Sequence, residues 1–381
     1  MAARRAAAAA ALVGLALGAC SSSGSADTTP TPTHSPTTSA TGPGTSSSPA
    51  PSPAPVVRRT VATGLDVPWG IAVLPSGQGA LVSLRDEARI VLVGPNGQVS
   101  PVLVGASGRR IPGVVPGGEG GLLGLALSPR FETDQQLYAY YTSATDNRIV
   151  RMRYANGRIT GITVIFSGIP KGSNHDGGRI AFGPDGMLYV GTGEGGVTSR
   201  AQDKHSLGGK ILRLTPDGHV PAGNPFPRSP VWTYGHRNVE GLAWDSAGNM
   251  YASEFGQNTW DELNLIVKGH NYGWPVVEGI GHRAGYTEPL RVWPTDQASP
   301  SGIAIVDDVV YLAALRGERL WRVPLTAKGT GTPKAFLHDA YGRLRAVVAG
   351  PSGGLWLLTN NTARGTPRPG DDKVVQVPLP S

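Results

Sequence analysis

Cysteine is nearly absent. Cys20 is the only one in 381 residues, so the chain cannot close a disulfide on itself or hold a metal through a set of thiolates. Charge is sparse at 16%, well under the quarter usual in soluble domains. The formal net charge is +7, but Lys and Arg are spread along the chain and form no run interleaved with aromatics. That argues against a nucleic-acid footprint. No segment combines helical period with helical length. The apolar run Ala6 to Ala19 is too short to span a bilayer comfortably. Glycine (54) and proline (33) are abundant instead, partly in one linker and partly as punctuation between short strands.

The N-terminus reads as a processing signal. Arg4 and Arg5 precede the apolar run, which ends Leu17-Gly18-Ala19-Cys20. Small residues followed by Cys resemble the lipobox of bacterial lipoproteins, so residues 1–20 are expected to be a signal peptide that leaves Cys20 acylated; an ordinary secretory signal is the alternative. Residues 21–57 are Ser, Thr, Pro and Gly with little to bury, and are expected to be a disordered, proline-stiffened tether. The protein would then be extracytoplasmic, in contact with the membrane only through its lipid, and monomeric.

Residues 58–381 recur. Each copy is an apolar strand, a turn rich in Pro, Asp or Gly, and a second apolar strand: 69–82, 122–141, 178–191, 240–254, 301–314 and 344–359. The starts are 43 to 62 residues apart, which fits one four-stranded blade plus its loops. An all-β, six-bladed propeller with antiparallel four-stranded blades is predicted. A pair of β-sandwiches would not explain the recurrence.

A propeller gathers loops from every blade around one mouth. Glu119, His175, Arg237 and Arg343 with Arg345 precede or open the first strands of blades two, three, four and six. One carboxylate, an imidazole and three guanidiniums at one mouth suit a planar anion. His175 is the candidate base, with glycines beside it leaving room for a substrate. Glu194, one strand later, could orient its ring. Each could equally be structural. Asp261 and Glu262 beside Gly-rich backbone could hold Ca²⁺, or could simply be solvated.

The ordered set Asn174-His175, Tyr234-Gly235-His236-Arg237-Asn238 and Asp261 through Pro275 closely resembles the glucose/sorbosone dehydrogenase family, soluble sugar dehydrogenases dependent on pyrroloquinoline quinone (PQQ). The resemblance covers residues 60–378. It implies a six-bladed propeller with PQQ in the central mouth, and Ca²⁺. It implies that His175 takes the proton from the C1 hydroxyl of an aldose while hydride passes to the quinone, yielding a lactone, with electrons then passed to a membrane quinone or other acceptor. It assigns Arg237 to a quinone oxygen, and Asn238, Glu119, Arg316, Arg343 and Arg345 to the cofactor, with Thr295 and Trp293 as further neighbours. Gly256 and Gln257 match carbonyl ligands of a cofactor-linked Ca²⁺, and Glu262 and Tyr272 ligands of a second, structural Ca²⁺. Phe255 stands where some members carry a polar cofactor ligand. With no long insertions between blades, the chain is similar to the shorter aldose dehydrogenase branch. Two other classes remain open: a Ca²⁺-dependent lactone hydrolase, and a non-enzymatic cell-surface binding module.

Overall fold

The computed structural model describes residues 59–351 and 353–379. The expected signal peptide, Cys20 and the whole of the expected tether lie outside them.

The described chain forms six small sheets. The six recurring segments each supply the first two strands of one sheet, as the repeat predicts. Those first strands are Pro68–Val73, Leu122–Leu127, Ile180–Phe182, Val239–Trp244, Pro300–Val306 and Leu344–Ala349. Each contacts the first strand of the next blade, and the last contacts the first, so they close a ring around a central channel. This is a six-bladed β-propeller. Blade six takes its outermost strand from the start of the described chain: Arg59–Ala62 pairs with Val374–Val377. The repeat could not show this closure, because the closing strand lies a whole chain-length from its blade. Blades two and five carry one strand more than four.

The strands are apolar on both faces because both faces are covered. Side chains alternate along a strand. In Pro68–Val73, Ile71 packs with Trp356 and Leu358 of blade six, while Ala72 packs with Leu122 and Leu137 of blade two. The same arrangement recurs at the other blade junctions, each filled by its own buried cluster. A fully buried Leu or Ile is worth roughly 1.5–3 kcal/mol, so the junctions hold the ring shut.

Candidate active site

In an antiparallel blade, the start of the first strand and the end of the second lie at the same end of the sheet. One end of the propeller therefore collects two families of loops. Glu119, His175, Arg237, Ser299 and Arg343 come from those before first strands; Arg85, Phe255, Arg316 and Arg364 come from those after second strands. Together with Trp69, Glu240, Arg345 and Asn360 they line a cavity of about 340 Å³ over the central channel.

His175 sits in the left-handed region (φ 57°) in the loop entering blade three. Its N–H donates to Glu119 Oε2 (2.8 Å), and its carbonyl accepts from Gly195 (3.0 Å). A Cβ on Gly193 would come within 1.9 Å of that carbonyl, so only glycine fits there. The ring is fixed as well: Nδ1 lies 2.5 Å from Glu194 Oε1, and Nε2 is 3.2 Å from the Asn174 amide. The Glu194 side chain is 1% exposed, so this carboxylate serves the imidazole and not solvent. With Nδ1 held by a carboxylate, Nε2 is the basic nitrogen.

The loop behind Glu194 is held by a buried lysine. Lys210 Nζ donates to the carbonyls of Arg200 (2.7 Å), Ala201 (3.0 Å) and Gly208 (2.7 Å), and Arg200 Nη1 returns to the Glu194 carbonyl (3.1 Å). Burial pushes the Lys210 pKa down to about 7, against the pull of Asp203. The unfolded chain thus binds the extra proton between pH 7 and the ordinary lysine value, and this group makes stability rise with pH across that window. Lys210→Met should cost about 3 kcal/mol by orphaning three carbonyls. In denaturant titrations its deficit against the wild type should widen between pH 7 and 9; a constant deficit would contradict the assignment.

The lining is strongly cationic. Arg85, Arg237, Arg316, Arg343, Arg345 and Arg364 face it, against Glu119, Asp176 and Glu240. Burial holds the Arg343 pKa down to about 10, with the neighbouring Arg345 and Arg364 charges adding to the effect. Burial lowers Arg237 as well, opposed by Glu194 and Glu254. The Nε atoms of Arg237, Arg343 and Arg345 are buried without a partner. Such donors fit a ligand bearing several carboxylates, as PQQ does.

Several residues singled out in the sequence lie elsewhere. Asn238 is beneath the lining: it accepts from the Gly177 N–H (2.9 Å) and donates to Glu240 Oε1 (3.2 Å). Thr295 is set back behind Arg316, whose Nη1 reaches its hydroxyl (3.4 Å). Trp293 is packed into the core against Trp321 and does not line the cavity. Asp261 and Glu262 are adjacent in a strand and so point to opposite faces. Asp261 ties the Gly256 N–H (2.9 Å) to the Ser299 N–H (2.5 Å). Glu262 accepts from Gly279 (2.8 Å) and Asn264 (3.0 Å), cross-strand from Glu254. Burial and the Glu254 charge push its pKa up to about 8. The acidic pair is therefore not one chelating unit.

The turn after Phe255 aims its N–H groups at Glu278: Gln257, Asn258, Thr259 and Trp260 all donate to its Oε1. The Gly256 and Gln257 carbonyls accept no hydrogen bond among the described residues. The Tyr272 hydroxyl is committed to the Leu265 carbonyl and the Val267 N–H, which leaves the Tyr272 backbone carbonyl oxygen as the group that could ligate a cation. Among the described residues, no three His, Cys, Asp or Glu side chains are grouped to hold a metal ion.

Sequence reasoning missed Trp69, Arg85, Glu240 and Arg364. Arg85 had a usable signal: like Glu194, it follows the second strand of its blade.

Comparison with known proteins agrees with this architecture. The aldose sugar dehydrogenase YliI of Escherichia coli is 31% identical, over 78% of this chain and 88% of its own. The quinoprotein glucose dehydrogenase B of Acinetobacter calcoaceticus is 32% identical, over 60% of this chain and 54% of its own. The solved PQQ-bound form of the aldose sugar dehydrogenase from Streptomyces coelicolor is 54% identical, covering 86% of this chain and 99% of its own, with a TM-score of 0.82. The family model described as Glucose / Sorbosone dehydrogenase matches residues 65–366, and the chain belongs to that family of oxidoreductases.

Proposed function

We propose that the protein is a PQQ-dependent aldose dehydrogenase that oxidises the C1 hydroxyl of a sugar to a lactone. The observation that carries this reading is the pairing of His175 with Glu194 at a cavity lined by six arginines, three of which keep a buried Nε–H with no partner among the described residues. Family membership and the PQQ-bound relative support it.

When bound, PQQ would supply the two-electron acceptor for the C1 hydride. Every other part of the reaction falls to the chain. Arg343 and Arg345 would hold carboxylates, with Arg316 at the rim. Arg237, stacked 5.5 Å from the Trp274 ring, would place its cation where negative charge develops. His175 Nε2 would take the C1 hydroxyl proton as the C–H bond breaks, and Glu194 would stabilise the imidazolium through Nδ1. Glu119 fixes the backbone of this loop from across the mouth, where it also pairs with Arg364 (3.0 Å). The free Gly256 and Gln257 carbonyls support a Ca²⁺ next to the cofactor. Glu262, crowded by Glu254, and the Tyr272 carbonyl support a second one, in the oxygen-rich setting Ca²⁺ prefers.

In this reading Cys20 lipid holds the protein outside the cytoplasm, near membrane quinones that would reoxidise the cofactor. Purified protein titrated with PQQ and Ca²⁺, then given a panel of aldoses and a redox dye, should reduce dye only when PQQ is present. Absence of PQQ binding would favour a binding module; lactone turnover without PQQ would favour a hydrolase.

A further inference from the structure

The six first strands line the channel along their whole length, and its two ends differ in chemistry. Residues at their N-terminal ends, such as Trp69, Glu240 and Arg345, face the cationic cavity described above. Residues towards their C-terminal ends form a second cavity of about 300 Å³ at the opposite mouth. Apart from Arg179 its side chains are apolar, Val73, Leu127, Phe182, Leu242, Ile303 and Val348 among them. A single charged side chain lines it, Arg179.

Arg179 is 9% exposed and poorly satisfied. Its Nε donates to the Glu240 carbonyl (2.6 Å), its guanidinium lies 4.5 Å over the Trp69 ring, and its Nη2 is buried with no partner. Glycine at 302 makes room for it, since a Cβ there would stand 3.2 Å from Nη2. The nearby carboxylate is Glu240, which is already spent on Arg345 and on the Ser301 hydroxyl (2.7 Å). Two buried guanidiniums thus lie near one carboxylate at the waist of the channel, and it bonds Arg345 while Arg179 reaches only the Glu240 backbone carbonyl. Arg345, Trp69 and Glu240 line the near cavity, and Arg179 lines the far one instead. The unbalanced charge faces the apolar cavity, where an unpaired buried cation is costly.

We propose that this far mouth is a binding site for a small amphipathic carboxylate, its head on Arg179 and its apolar body along the first strands. The site is separate from the sugar-oxidising cavity and does not depend on the function assigned there. Decanoate is a suitable probe and 1-decanol its uncharged match. By calorimetry, decanoate should bind the purified protein at one site, and 1-decanol at least about tenfold more weakly, as expected for loss of a hydrogen bond to a charged group. Arg179→Met should abolish that preference. Val348→Asp, which sets a carboxylate in the far wall without touching Arg179, should abolish decanoate binding. Arg343→Ala, in the near cavity, should leave it unchanged. Equal binding of acid and alcohol, no binding of either, or binding that survives Val348→Asp but is lost in Arg343→Ala would each overturn the proposal. Should Arg179→Met fail to fold, Val348→Asp and Arg343→Ala decide the matter.

Discussion

Replacing His175 with alanine is expected to lower kcat for aldose oxidation by about 10³-fold, within the span typical of a lost general base. PQQ affinity should change little, because the guanidiniums that would hold the cofactor belong to other blades. Two further readouts separate a base from a residue that merely shapes the loop. Added imidazole should restore part of the activity of His175→Ala, since it can occupy the vacated space beside Glu194. Glu194→Gln should keep the ring in place yet lose activity, because an amide cannot stabilise the imidazolium as a carboxylate does. If His175→Ala binds PQQ normally and retains wild-type turnover, the proton is taken elsewhere.

The second large effect concerns stability. Glu240→Ala removes the carboxylate that bonds Arg345 and whose charge also favours Arg179, and leaves both guanidiniums buried near each other. Breaking a buried pair in this way costs about 3–5 kcal/mol, and at this chain length Tm should fall by roughly 4–8 °C. Glu240 also accepts from Asn238, whose amide oxygen caps the Gly177 N–H two residues beyond His175. The loss should therefore reach the imidazole loop as well as the arginines. Removing the charge at the other end, in Glu240→Ala with Arg345→Met, should recover part of the lost Tm. A single variant that melts within 2 °C of the wild type would show that water, and not Glu240, balances the waist.

The link between these two predictions lies in the fold. Glu240 lies near the start of the first strand of blade four, Arg345 lies in that of blade six, and Asn238 and Gly177 sit at the entrances to blades four and three. Only ring closure brings them together. The Arg345–Glu240 pair spans 105 residues of sequence.

The six-fold recurrence of strand, turn and strand was enough by itself to determine the propeller, because apolar runs bounded by Gly, Pro and Asp can bury both faces only between neighbouring blades. It also determined which end carries the site, since Glu119, His175, Arg237 and Arg343 all sit ahead of first strands. The family motifs added names for roles but no distances. What the tertiary structure decided is which of these side chains face the cavity. Strand alternation turned Asp261 away from Glu262, and core packing took Trp293 out of reach. Depth placed Asn238 under the lining, where it braces the His175 loop. The loops after second strands brought in Arg85 and Arg364, and the channel waist exposed Arg179. The alternation of Asp261 and Glu262 and the position of Arg85 are legible in the linear pattern; the burial of Trp293, the depth of Asn238 and the place of Arg179 are not, because each depends on contacts between blades, and periodicity along the chain records only which residues within a blade share a face.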